Sequence, residues 1–329
     1  MPKRLLFYKS DNIFGRQLER NDSLVFPPRT CFCHLILWGL DTRTGLTARE
    51  DAVLMDVRPA AVLDRAPKGS IPTDLKAAGD ISQSRWLVDG LEDSCTVSSI
   101  VPRGFECYAR VLHPAWRYAL ENCHVVKMPV AWNEVASRRG RVANRLMQWP
   151  QVSGLPKMDE HVSYQLARGG CVILDWPDEG TIPLTVGKAL KEVLLCNAED
   201  TDSCWFGLWV GYGPGQELGL GEPKAIGNRH RQWYLFRGCL GNIEYSFSGT
   251  DRHQSANLVW AQDRSWCLGV DINLHSTYIG GSESLVSNVL KNSELEAYTA
   301  HPGDNVGFDA DRANPPEPDC DGLVIIRYS

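Results

Sequence analysis

Cys204-Trp205-Phe206-Gly207-Leu208-Trp209-Val210-Gly211 is the stretch that decides the fold. Trp205 and Trp209 alternate with Phe206 and Leu208, so a strand here is apolar on both faces, as in the centre of a covered sheet. Just upstream, residues 185–196 place Val186, Ala189, Leu190, Val193 and Leu194 on one stripe, which predicts an amphipathic helix with Thr185 as its N-cap. Downstream, residues 232–239 and 265–275 are strand-like runs rich in aromatic or β-branched residues, separated by glycine-rich or polar connections. A last helix is expected over 282–291.

Nearer the N-terminus, the spacing of Phe105, Tyr108, Leu112 and Ala115 predicts a helix over 103–120, kinked or ended by Pro114. Trp132, Val135, Ala136, Ala143 and Leu146 predict a second over 132–147, with Arg138, Arg139 and Arg141 on its solvated face. Helices followed by strands imply an α+β class, an antiparallel or mixed sheet of aromatic-rich strands packed on amphipathic helices. Residues 85–301 form the expected main domain. Residues 1–84, interrupted by prolines and poorly periodic, read as a small extra domain, a loose extension, or an extension from a misplaced start codon. Residues 302–329 read as a Pro/Asp-rich loop with one edge strand at Leu323–Ile326.

Composition excludes several classes. A 329-residue chain with 43% hydrophobic residues and 22% charged residues can bury a large core. Its net charge of −6 offers no bulk attraction for nucleic acid or an anionic membrane, although 1–85 hold 13 basic against 10 acidic residues. No apolar run is long enough for a transmembrane helix, and none resembles a secretory signal, so a cytoplasmic location is expected. Eleven scattered cysteines read as reduced, mostly buried thiols; Cys31-Phe32-Cys33-His34 lacks a second pair at zinc-finger spacing. Tryptophan, also eleven, is the one excess.

Gly104-Phe-Glu-Cys-Tyr-Ala-Arg-Val-Leu-His-Pro114, Cys204 to Gly213, Trp260-Ala-Gln-Asp-Arg-Ser-Trp266 and Ser276-Thr-Tyr-Ile-Gly-Gly281 together resemble a family of uncharacterised, actinobacterial-type bacterial proteins, over residues 86–298. The resemblance implies no activity, substrate or catalytic residue.

Cofactor motifs are not met, and no cofactor or metal is expected. The glycine run 211–219 follows a strand but has no helix after it to bind phosphate, and reads as a mobile loop. Gly180 and Gly187-Lys188 have the wrong spacing for a phosphate loop. Asp309-Ala-Asp311-Arg-Ala-Asn314 lacks the sixth-position glycine of a calcium loop and reads as an acidic surface loop.

Strict alternation in Leu268-Gly-Val-Asp271-Ile-Asn273-Leu-His275 sends Asp271, Asn273 and His275 to one strand face, with Ser276 and Thr277 extending it. A carboxylate beside an imidazole tunes its basicity, so Asp271 and His275 with Ser276 or Ser282 as nucleophile would give an ester- or lactone-type hydrolase. A wetted outer face is the plainer reading of that row, an N-cap that of Ser282, and a satisfied core position that of His113. The leading expectation is a non-enzymatic binding protein that offers a sheet face to a protein or small ligand, with Trp205, Trp209, Tyr212, Trp233 and Asn273 lining the surface.

Overall fold

The computed structural model describes residues 72–314, apart from 156, 158–159, 198–200, 214–218, 229–230 and 249–251. The Cys31–His34 pair, the edge strand at 323–326 and most of both terminal segments lie outside the described residues. In chain order come β1 (Lys76–Ala77), α1 (Arg85–Gly90), β2 (Cys107–Leu112), β3 (Ala115–Glu121), β4 (His124–Val130), α2 (Trp132–Arg138), α3 (Trp149–Ser153) and α4 (Glu160–Arg168). There follow β5 (Ile173–Asp175), α5 (Leu184–Asn197), β6 (Cys204–Trp209), β7 (Ala225–Gly227), β8 (Gln232–Gly238) and β9 (Leu258–Ala261). The last are β10 (Cys267–Gly269), β11 (Ser276–Gly281), α6 (Glu283–Lys291) and β12 (Glu296–Ala300).

The fold is α+β. Nine strands form one antiparallel sheet in the order β1-β8-β6-β9-β10-β11-β2-β12, with β7 sharing the outer side of β8 with β1. A second antiparallel sheet has the order β4-β3-β5.

Both faces of the large sheet are covered. Phe206, Leu208, Val259, Leu268 and Ile279 pack on one face against Val186, Leu190 and Leu194 of α5 and Leu285, Val286 and Val289 of α6. On the other face Trp205, Trp233, Trp260 and Tyr278 meet Leu87, Val97, Ile100, Val101 and Val306, a cover built mostly of irregular chain. Trp205 lies parallel to Trp260 at 6.1 Å, and Trp86 meets Trp260 edge-on at 6.4 Å. Each large side chain so buried contributes about 1.5–3 kcal/mol.

The expected α5 is present, starting one residue early. Thr185 therefore lies inside the first turn, and its buried hydroxyl has no hydrogen-bond partner instead of capping the helix. Ser282 does cap α6: its Oγ accepts from Leu285 N at 3.2 Å, with Glu283 in the first turn and Lys291 in the last suiting the helix dipole.

Other expectations are corrected. Residues 103–120 form β2 and β3, not a helix; Tyr108 and Arg110 face one way, Ala109 and Val111 the other, and all four are buried. Two-sided burial imitates helical spacing over so short a run, and Pro114 marks the corner between the sheets. The helix over 132–147 stops at Arg138, because Gly140 adopts φ +64° and the chain turns away. The run 265–275 holds only β10. Beyond it Asp271 accepts from Leu274 N, and the chain reverses into β11, a fully buried central strand rather than a polar surface. The folded body also exceeds 85–301: Leu75 belongs to the helix-side core, and Val306 to the opposite one. The loop 309–314 is only partly at the surface, with Asp309, Arg312 and Ala313 exposed. Asp311 and Asn314 are buried, and Asn314 bonds both the N–H and the carbonyl of Val142.

Replacing Leu190, wholly buried on α5, with alanine is expected to cost about 2–5 kcal/mol in urea unfolding. Leu195→Ala, on the exposed side of the same helix, should change stability by no more than about 0.5 kcal/mol.

Candidate functional site

The four nominated catalytic residues do not converge. Asp271 pairs with Arg231 at 3.0 Å, and its other oxygen accepts from Asn273 N at 3.2 Å. His275 is buried edge-on against Trp176 at 5.5 Å, and neither ring nitrogen has a hydrogen-bond partner. Ser276 Oγ accepts from Arg110 Nε at 2.9 Å, while the same guanidinium donates to the carbonyl of Met147. Ser282 is the α6 cap. The alternation over 268–275 crosses a reversing turn, so it sets no polar row along one strand face.

The nominated ligand residues are also dispersed. Trp205 and Trp233 are core residues, Trp209 meets Tyr212 edge-on at 5.1 Å, and Asn273 is exposed on the turn after β10. Tyr212 directs its hydroxyl to Gly180 O at 3.4 Å.

That glycine belongs to a strap, residues 176–182, which leaves β5 and crosses to the large sheet. Gly180 donates to Leu274 O at 3.1 Å, and its own carbonyl also accepts from Asn257 Nδ2 at 3.0 Å and Gln254 Nε2 at 3.2 Å. Its φ of +72° excludes most side chains, and a Cβ there would stand 2.6 Å from Ile272 O. At the β2–β3 corner, His113 Nδ1 lies 2.8 Å from Asp178 O and Nε2 lies 2.9 Å from Thr277 Oγ1. A carbonyl only accepts, so Nδ1 carries the proton and Nε2 accepts from the threonine: a neutral, fully satisfied imidazole. Burial lowers its pKa to about 3, and burial lowers that of His275 as well.

Under α4, on one face of the small sheet, lies a second cluster. The register places Lys127 opposite Tyr118, with Trp116 two residues back on the same strand face. Lys127 Nζ stands 4.5 Å from the Trp116 ring centroid, 5.4 Å from that of Tyr118 and 2.9 Å from Glu160 Oε1. Tyr118 also donates to Glu160 Oε1 at 2.9 Å, and Ser163 donates to Asp175 at 3.0 Å. Partial burial opposes ionisation of Glu160, yet the bonds from Lys127 and Tyr118 hold its carboxyl below the usual range. Burial pushes the carboxyls of Asp175 and Asp178 up, and burial with the Glu160 charge drives the Tyr118 phenol far upward. The sequence signal was Trp-x-Tyr at strand spacing, hidden by the helical reading of 103–120.

Concavity lies elsewhere. An open groove of about 410 Å³ runs beside β1, bordered by Lys76, Asp80, Asp202, Ser203 and Arg237 over a floor that includes Trp205. Arg237 Nη2 donates to Ser203 Oγ at 2.6 Å and its guanidinium lies 5.5 Å from the Trp205 ring centroid. Asp74, at one end, accepts from Cys239 N and from Asn242 Nδ2, each at 2.8 Å; the Cys239 N–H foremost keeps its carboxyl below the usual range.

Among the described residues, no three or more His, Cys, Asp or Glu side chains are placed to hold a metal ion, and no helix is long and apolar enough to cross a membrane. Comparison with protein-family models, curated proteins and solved structures finds no match.

The His113 imidazole makes stability pH-dependent. Its unfolded pKa is 6.5 and its folded one about 3, so the unfolded state binds the proton first: stability is full above pH 6.5 and is lost as pH falls towards 3. By pH 4 the loss is about 3 kcal/mol. The upward-shifted carboxyls of Asp175 and Asp178 act in the opposite sense. Urea midpoints from pH 7.5 to 4 should therefore be compared between wild type and His113→Asn. The variant starts lower and has a flatter dependence; parallel profiles would exclude the linkage.

Proposed function

We propose that the chain is a non-enzymatic cytoplasmic binding protein whose ligand, a zwitterion of amino-acid or short-peptide size, rests in the groove beside β1. One observation carries this reading: the groove sets cations, Lys76 and Arg237, and carboxylates, Asp80 and Asp202, around an apolar floor of Ala77, Ala78 and Trp205. Its volume of about 410 Å³ lies within the usual range for small-molecule sites, roughly 300–1,000 Å³. Arg237 is held by Ser203 and its guanidinium lies over Trp205, so it is pre-oriented to receive a carboxylate in bidentate fashion. The ligand-bearing surface is thus a sheet edge rather than a sheet face, because both faces of the large sheet are covered.

The cytoplasmic part of the proposal draws on the cysteines. All eight described ones are free, and Cys95, Cys123 and Cys196 are exposed, a state that persists in a reducing compartment. The hydrolase alternative gains no support from His275, whose ring nitrogens meet no hydroxyl.

Calorimetric titration with free amino acids and with di- and tripeptides tests the proposal. Binding by at least one zwitterion is expected, weakened roughly 10- to 100-fold by Arg237→Ala through loss of a charge-assisted hydrogen bond. Absence of binding across the panel, or equal affinity in the variant, overturns it. Ester and lactone probes should be turned over no faster by wild type than by His275→Ala; hydrolysis abolished in that variant would restore the enzyme reading.

A further inference from the structure

The cluster around Lys127 has the composition of a cation site with its occupant already in place. Trp116 and Tyr118 are buried and form its back wall, while the Lys127 side chain is 33% exposed and that of Glu160 is 67% exposed, so the mouth opens to solvent. The wall presents two ring faces to one ammonium, at 4.5 and 5.4 Å. Aromatic faces attract cations through the ring quadrupole, and most strongly those that shed water easily. A primary ammonium is compact and tightly hydrated, whereas a quaternary ammonium spreads its charge over methyl groups and carries no N–H to keep hydrated. Lys127 is therefore not the cation this wall suits best.

Two further observations separate the box from an ordinary surface ion pair. Trp116 is more than nine-tenths buried, and its indole N–H faces the Asp178 carboxyl, whose charged form it favours. Acidic groups also gather at this corner: Glu160 bonds Lys127 at 2.9 Å, and Asp175 and Asp178, whose ionisation burial opposes, stand near it. Withdrawing the Lys127 ammonium would leave the Glu160 carboxylate beside two ring faces, partly offset by Arg252. The vacated space, from Cγ to Nζ, has about the bulk of a trimethylammonium head.

We propose that Trp116, Tyr118, Glu160 and Asp178 form a binding site for a quaternary ammonium group, which Lys127 fills from within the chain and yields when the ligand arrives. The site lies on the small sheet and is independent of the β1 groove. Lys127 acts as a tethered competitor. A short tether gives it an effective concentration on the order of millimolar, so an incoming cation meets a lowered apparent affinity until Lys127 swings out into solvent. Any change that removes the Lys127 charge opens the site.

The test titrates tetramethylammonium and choline into wild type and Lys127→Ala, followed by the indole N–H resonances of ¹⁵N-labelled protein. Lys127→Ala should bind at least tenfold more tightly than wild type, and Trp116→Ala added to it should abolish binding. If loss of Trp116 unfolds the small sheet, Glu160→Gln in the Lys127→Ala background replaces it, with roughly tenfold weaker binding expected. Tetramethylammonium should outcompete n-butylammonium, and the neutral 3,3-dimethylbutanol should not bind. The proposal is overturned if Lys127→Ala gains no affinity, if the gain survives both second-site changes, or if the primary ammonium or neutral probe binds as well as the quaternary one.

Discussion

Covering both faces of the nine-stranded sheet is the constraint from which the other features follow. A sheet wet on one side can spend every second residue on solubility; this one cannot, and β6 and β9 are buried along almost their whole length. On one side α5 and α6 supply regular apolar stripes. On the other the cover is mostly coil, which approaches the sheet unevenly and leaves gaps that only large, rigid side chains fill. Five of the eleven tryptophans, Trp86, Trp205, Trp209, Trp233 and Trp260, pack on that side. Gly269 and Gly280 mark where the cover comes too near for any side chain, since a Cβ would lie 2.6 Å from Ile100 O and 2.5 Å from the Phe105 ring.

The same constraint decided what was legible. α5 and α6 could be read because each has one wet face, so their stripes stand out against polar residues. β6 and β8 could be read because aromatic residues crowd them. Residues 103–120 could not, since a strand apolar on both sides has no period of its own and Phe105, Tyr108, Leu112 and Ala115 happen to fall at helical intervals. The Asp271–His275 row failed for the opposite reason: a perfect period of two ran across a turn held by Asp271, and no composition signal marked the reversal. Nor does any local pattern bring Lys127 to Trp116, or Glu160 to Tyr118. Those meetings depend on the β3–β4 register and on where α4 lands, and both are settled by packing.

The aromatic- and glycine-rich segments acquire a physical meaning in the same way. Residues 104–114, 204–213 and 276–281 include β2, β6 and β11, and 260–266 runs from the end of β9 through the turn to β10. Their strand residues lie in the sheet's interior and serve its packing. The groups proposed for recognition lie at the margins instead: the edge beside β1, and the small sheet joined to the large one through Gly180 and His113.

The start of α2 is held from far away. No side chain at its own cap position serves it; the backbone N–H groups of Trp132 and Asn133 donate instead to the carboxylate of Glu296, at 2.5 and 2.8 Å. Seven residues are too few for a helix to persist unaided. On a ribosome, residues 132–138 emerge long before Glu296 does, so this helix has to wait, unformed, for the end of the sheet to be made. The chain therefore closes this corner late in its synthesis, and a truncation before β12 would remove a strand and, with it, the anchor of a helix more than 150 residues upstream.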